Sequence, residues 1–185
     1  MSKILVDTID TRSGTSNITI GSSNASQITL KSGATLTNFP ANTPAFFAKM
    51  SGNQTVSHDT YTTVAFNSEV YDTASAFDTS TYKFTVPSGQ AGKYIFTSHI
   101  AYQNPNNGTG TRFQTYFKVN NDFIDFHGDM CQAQHASADP TLNFTTQINL
   151  SVADTVYVVT LQQANHDETL SSSWGRFFGY KLIGV

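Results

Sequence analysis

The chain has 185 residues, enough for one well-packed core and a small appendage. Only 12% are charged, the net charge is −3 and the pI about 5.9, which excludes a polyelectrolyte and a basic surface built for nucleic-acid phosphates. A single cysteine excludes an internal disulfide framework, and no apolar run reaches the ~18 residues of a membrane span, so no membrane insertion is expected.

Residues 1–43 differ from the rest. They hold one aromatic, Phe39, among many Thr, Ser, Asn and Gly. Short apolar pairs recur (Ile4/Val6, Ile18/Ile20, Ile28/Leu30), separated by Gly-Ser-Asn turns. Each unit carries too little apolar surface to fold alone. One reading is a flexible polar linker. The favoured one is a β-structured stalk, in which strands from identical chains bury the paired residues, because a linker has no reason to space them regularly. Pro40 and Pro44 end any ladder and set a domain boundary at 43/44. The opening Met1–Asp7 lacks the apolar region of a signal peptide, so folding in a cytoplasm is expected.

From residue 45 the chain reads as strand after strand. Strands are predicted at 45–50, 82–86, 93–102, 112–119, 123–130, 143–152, 155–161 and from 176 onward, with a turn-rich stretch at 51–80 that holds short extended pieces around Thr62–Phe66. Asn120-Asn121 signals a two-residue hairpin. In 123–130, Ile124, Phe126 and Met130 are expected on the core side; His127, Asp129 and Cys131 share the other face. The last strand places Phe177 inward with Phe178, Tyr180 and Leu182 opposite, and its glycines admit a close neighbour. Strands 155–161 and 176–183 are apolar on both faces, so both should be covered. A homo-oligomer would do this, with Tyr157, Val159, Phe178, Tyr180 and Leu182 at its interface. The expected class is all-β, a β-sandwich.

The residues also resemble a family. Phe66-Asn67, Tyr71-Asp72, Phe84-Thr-Val-Pro87, Gly92-Lys-Tyr94-Ile-Phe96 and Phe178-Gly179-Tyr180-Lys-Leu182 occur in the order of the C1q/tumour-necrosis-factor head domain. Ala153-Asp154-Thr-Val156 resembles its Gly-Asp-x-Val step, with Ala for Gly. The resemblance covers about residues 45–185 and implies a jelly-roll sandwich assembled as a trimer. There is no collagen-like stalk. Residues 1–43 instead look like the short β-repeats of phage tail-fibre proteins, and 3–9 resembles the opening of virion-appendage chains. The resemblance thus implies a homotrimeric phage virion protein that docks on other virion proteins through its N-terminal stalk and binds a host-surface glycan or protein. A capsid decoration or tail adaptor, and a secreted C1q-like lectin or ligand, are the alternatives.

A jelly roll entered from the stalk places the short turns 88–92, 120–121 and 153–154 at its base. The long polar connections 103–111, 131–142 and 163–173 then lie at its apex, where binding normally sits. The receptor-contact candidates there are Asn104, Asn106, Asn107, Thr109, Arg112, His135, His166, Asp167 and Glu168. Amides and hydroxyls suit sugar hydroxyls, though Asn and Gly are equally ordinary turn residues. His127, Asp129 and His135, with Cys131, are metal-ligand candidates by type, but their spacing fits no zinc motif, and Cys131 reads more simply as a buried thiol. His166, Asp167 and Glu168 offer donors to calcium or a sugar. The family's apex calcium motif is not matched, so no cofactor is expected. Trp174 reads as a stacking platform or as a cover on the sandwich end, the latter favoured because it adjoins the last strand. Catalysis is not expected: no nucleophile elbow, phosphate-cradling loop or assignable carboxylate pair appears.

Overall fold

The computed structural model describes residues 43–103, 111–132 and 139–182, and for 125–127 the backbone alone. The chain divides between Phe39 and Pro40, and the expected stalk lies outside the described residues. These contain thirteen strands: β1 (Ala45–Lys49), β2 (Gln54–Val56), β3 (Thr62–Thr63), β4 (Ser68–Asp72), β5 (Phe77–Asp78), β6 (Lys83–Thr85), β7 (Gly92–Ala101), β8 (Arg112–Val119), β9 (Asp122–Gln132), β10 (Thr141–Leu150), β11 (Thr155–Gln162), β12 (Glu168–Leu170) and β13 (Arg176–Lys181). No described helix is long and apolar enough to cross a membrane. The architecture is the expected all-β jelly roll.

Two antiparallel sheets face each other. One is five-stranded, in the order β10-β7-β13-β1-β4; the other runs β5-β6-β11-β8-β9, with β3 on the free part of the β11 edge. The period-two alternation of β7, β10 and β13 sends every second side chain between the sheets. Phe46, Phe84, Phe96, Phe117, Phe177 and Tyr94 form an aromatic core there. Burial pushes the Tyr94 phenol up to about 12, and its hydroxyl donates to the Gln90 carbonyl at 2.6 Å. Gly179 is needed beside this core. A Cβ there would lie 2.5 Å from Phe96 Cδ1 and 2.9 Å from the Ile95 carbonyl oxygen.

The turn-rich stretch 51–80 contains four short strands: β3 falls in the expected extended piece, while β2, β4 and β5 escape periodicity, because two to five residues cannot display a period. Strand β9 requires a correction too. Its register against β8 shifts between Tyr116 and Lys118: Tyr116 faces Gly128, while Lys118 faces Phe123. A step of two residues on β8 thus meets five on β9, and an odd excess swaps the faces. Ile124 packs on the core as expected, but beyond the bulge Cys131 does so as well, opposite Phe113, and Met130 is exposed.

The two-faced strand β11 is covered by its own chain. Tyr61, beside β3 on one edge of β11, brings its ring 6.2 Å from Tyr116 of β8 and 4.8 Å from Phe123 of β9 on the other. It therefore spans the outer face of β11 at Val159, which pairs with both Thr63 and Tyr116. Lys83 Nζ sits 4.5 Å over the Tyr157 ring. Tyr157 and Val159 are buried. Their expected place in a subunit interface is corrected accordingly: their apolar surface is already spent within the chain.

One end of the sandwich is knit by short turns. Asn120 and Asn121 both adopt positive φ (52° and 75°), as a tight hairpin requires. Asn120 Nδ2 donates to Asp154 Oδ1 at 2.7 Å, and the Thr155 N–H donates to Asn120 Oδ1 at 2.9 Å. The Ala153 N–H donates to the Val86 carbonyl at 3.0 Å. Ala153 sits at φ 70°, where Cβ meets the carbonyl oxygen and glycine does not. Ala153→Gly should raise stability by about 1 kcal/mol, read as a higher urea midpoint at unchanged slope.

Candidate functional site

The chain enters the sandwich and leaves it at the end just described: the Lys181 N–H donates to the Pro44 carbonyl at 3.0 Å and the Leu182 N–H to Lys93 at 2.8 Å. At the opposite end, the apex, β7, β9 and β11 finish and β8, β10 and β13 begin. The long connections that join them meet at the end of β7. The Ala101 carbonyl accepts from the Ser171 N–H (2.8 Å), the Tyr102 N–H donates to the Pro140 carbonyl (2.9 Å), and the Gln103 N–H donates to the Thr169 carbonyl (2.8 Å). The residues that open one connection thus hold the end of a second and the middle of a third. Asn53 adds a side-chain clamp. Its amide donates to Gln103 Oε1 at 2.9 Å, and its carbonyl oxygen accepts from the N–H and hydroxyl of Ser172 at 2.9 and 3.0 Å.

At this junction lies a cleft of about 360 Å³ lined by Ala101, Asp139, Thr141 and Trp174. Ala101 is buried and gives a small floor. Asp139 and Thr141 are exposed. Trp174 closes a turn in which its N–H donates to the Ser171 carbonyl (3.3 Å), and its indole is 48% exposed. The Trp174 carbonyl accepts from His99 Nδ1 at 3.0 Å, which fixes the proton on that nitrogen, and the two rings meet edge to face at 5.8 Å. The indole is therefore held against His99 with one side to solvent.

The sequence candidates are distributed as follows. Asn104, Asn106, Asn107, Thr109 and His135 lie outside the described residues, as does the side chain of His127. Arg112 starts β8 and is exposed; its carbonyl accepts from the Gln163 N–H at 3.0 Å. The connection 163–175 is not an open loop: β12 within it pairs with β2. His166 and Asp167 are exposed, but Glu168 is corrected as a surface contact. Its side chain is 4% exposed and its Oε1 lies 3.0 Å from His166 Nε2. Gln162 braces the turn beneath, donating to the Val56 and His166 carbonyls (3.0 and 2.8 Å) and accepting from the Ala164 N–H (2.6 Å). His58 Nδ1 accepts from the Asn165 N–H at 3.0 Å.

Of the metal candidates, Asp129 and Cys131 have described side chains. Asp129 accepts from its neighbour Met130's N–H (2.8 Å) and from the Asn143 N–H of β10 (2.9 Å), clasping the edges of the two sheets. Burial, and then the charge of Asp129, push the Cys131 thiol up, away from the thiolate a metal needs. Asp167 and Glu168 part, one to solvent and one inward, so they do not converge on a calcium ion. No group of three His, Cys, Asp or Glu residues among those described is placed to hold a metal.

Of the five expected interface residues, Phe178, Tyr180 and Leu182 are half-buried, and Phe178 and Tyr180 share the outer face of the five-stranded sheet. There the register aligns Ala45, Tyr180, Ile95 and Gln147 nearest the base. Phe47, Phe178, Thr97 and Thr145 come next, and Lys49, Arg176, His99 and Asn143 stand at the apex. Phe47 meets Phe178 at 5.8 Å and the exposed Tyr71 at 6.2 Å. The face is apolar towards the base and polar or cationic towards the apex.

The sequence matches no protein-family model and no curated protein. Solved structures do match. The globular domain of zebrafish complement 1qA superposes with a TM-score of 0.54 at 17% identity, over 76% of this chain and 98% of that one. The Eiger TNF of S. frugiperda gives 0.55 at 14%, over 76% and 93%, and murine APRIL gives 0.54 at 15%, over 75% and 98%. The described residues share the jelly-roll fold of these C1q and TNF domains, and nearly the whole of each matching domain is covered. A fold does not fix an activity, which has to be argued from this chain's own surface.

The apex analysis separates two adjacent acidic residues. Glu168→Ala should cost about 1–3 kcal/mol, since it strips a buried partner from His166, while Asp167→Ala should stay within about 0.5 kcal/mol of the parent. Parallel urea titrations measure both.

Proposed function

We propose that this chain is a homotrimeric phage virion appendage protein, attached to other virion proteins through residues 1–43, whose C1q/TNF-like head binds a host-surface glycan or protein at its apex. The asymmetry of the two ends carries the reading. The base holds short, mutually hydrogen-bonded turns and both ends of the described domain. Among the described residues, the apex holds the ends of the long connections together with the Trp174 cleft. A rigid sandwich with its long connections gathered at the end far from its attachment is the arrangement of a binding head. No step of this reading requires catalysis.

The trimer is supported by the outer face of the five-stranded sheet. Phe47, Tyr71, Phe178 and Tyr180 form a contiguous aromatic surface with nothing of the described chain upon it, and such patches mark association sites. Three heads on one axis would bind a repetitive surface with avidity. The virion assignment rests on the likeness of residues 1–43 to phage fibre repeats.

Light scattering should give the full chain, and residues 44–185 alone, a mass near three times that of its own polypeptide, 20.2 kDa for the full chain. The double substitution Phe47→Thr and Phe178→Thr, which keeps β propensity and removes the aromatic surface, should lower the mass to one chain with the circular dichroism unchanged. Deleting residues 104–110 should abolish binding to bacterial cells in a pull-down across strains of differing surface polysaccharide and leave the trimer intact. A monomeric head, or binding that survives the deletion, overturns the corresponding half of the reading.

A further inference from the structure

The apex end of the five-stranded sheet breaks a rule of cross-strand pairing. On its outer face Lys49 stands directly opposite Arg176, and Arg176 directly opposite His99. Side chains so placed have Cβ atoms about 5 Å apart, and like charges there repel. Lys49 and Arg176 are exposed, and neither makes an ion pair among the described residues. Carboxylates stand off the ends of the row: Glu69 opposite Ala48 on β4, Asp129 on the Asn143 N–H, and Asp139 in the Trp174 cleft. The apex segments 104–110 and 133–138 contain no Asp or Glu, so they bring no counter-charge.

The backbone holds the repelling pair in place. One residue beyond Lys49 and one before Arg176, the Met50 N–H donates to the Gly175 carbonyl at 3.2 Å. The Met50 side chain fills the space a Cβ on Gly175 would need. His99 is fixed by its donation to the Trp174 carbonyl. An anion on such a row relieves the repulsion, and charge selects its kind. A phosphate monoester carries about −1.5 to −2 charges at pH 7 and three terminal acceptor oxygens. It therefore matches two cations, whereas a carboxylate or a phosphodiester brings one charge. A guanidinium fork takes two of those oxygens and an ammonium the third. The chain as a whole is acidic, at net −3, and a row of this size suits one phosphate and not a polyanion track.

We propose that Lys49 and Arg176, with His99 beside them, bind one phosphate monoester per chain, and that its bearer is a phosphorylated glycan of the host surface. This bearer rests on the reading of the head as a receptor-binding domain and narrows its glycan class. The row stands at the apex end of the face whose base end carries the aromatic surface, so the full-length protein is tested in its own oligomeric state.

By calorimetry at low ionic strength, glucose 6-phosphate should bind saturably, one per chain, and glucose should not. Glucuronate and glycerophosphodiester should bind at least tenfold more weakly. Lys49→Gln and Arg176→Gln should each weaken glucose 6-phosphate tenfold or more, and Arg176→Lys, which keeps the charge and loses the fork, should weaken it less. Lys93→Gln, which removes the same charge at the base end of β7, should leave it unchanged. In phosphate-free buffer both row variants should unfold at a urea midpoint no lower than the parent's, which shows that they are folded. No saturable binding, equal binding of the diester, full binding by folded Arg176→Gln, or equal weakening by Lys93→Gln overturns the site. Binding to phosphatidic acid vesicles that glucose 6-phosphate does not compete, or cell attachment unchanged in Arg176→Gln, overturns the glycan as bearer. Phosphate binding by a chain that attaches to no cell would support the site and overturn the receptor reading instead.

Discussion

The ring of Phe177 touches Phe46, Phe66, Phe77, Phe96 and Phe117, with centroids 4.9 to 6.1 Å apart. Those partners come from β1, β5, β7 and β8 and from the stretch after β3, so one side chain near the end of the polypeptide joins both sheets. It can do so because β13 lies between β7 and β1, in the middle of the five-stranded sheet. Mixed stacked and edge-to-face contacts of this kind add to simple area burial. They also demand that the sheets approach closely, which is where Gly179 enters: Phe96 occupies the space that any larger residue would fill. The last strand is thus the piece without which neither sheet has a closed core.

Closing the sandwich leaves two outer faces, and the chain treats them differently. Over β11, Tyr61 and Lys83 cover Tyr157 and Val159, while the odd-residue bulge in β9 sets Gly128 beside the Tyr116 ring and swaps Cys131 and Met130 between faces. Over β1 and β13 nothing in the described chain lies on Phe47, Phe178 and Tyr180. The same two-faced apolar pattern therefore has two physical outcomes, self-cover and a surface left for association. On the free edges of both sheets, the Asp129 carboxylate takes up the Asn143 N–H and so blunts one route to edge pairing.

The apex follows from the same topology. Because β7 ends beside the short β12 strand and the 139–140 segment, the three residues after Ile100 serve as a common anchor for the apex connections. Function-bearing side chains at this end fall into two groups. His166, Glu168 and Gln162 are spent on holding the 163–167 turn. Trp174, Asp139 and Thr141 line a cleft.

The sequence alone determined the class, the boundaries of the long strands, the hairpin at Asn120-Asn121 and the family likeness, because period-two alternation and turn residues are local properties written every second residue. It also determined that long polar connections alternate with short turns, and that Phe178, Tyr180 and Phe177 belong to opposite faces of one strand. Only the tertiary structure decided what depends on distant partners. Whether an apolar face is covered turned on Tyr61 reaching across β11. Which way Cys131 points turned on a register shift, and whether Glu168 is exposed turned on β12 pairing with β2, more than a hundred residues away in the chain. Trp174 could be singled out by its rarity, but its neighbours could not be read, since Ala101, Asp139 and Thr141 come beside it only in the folded chain.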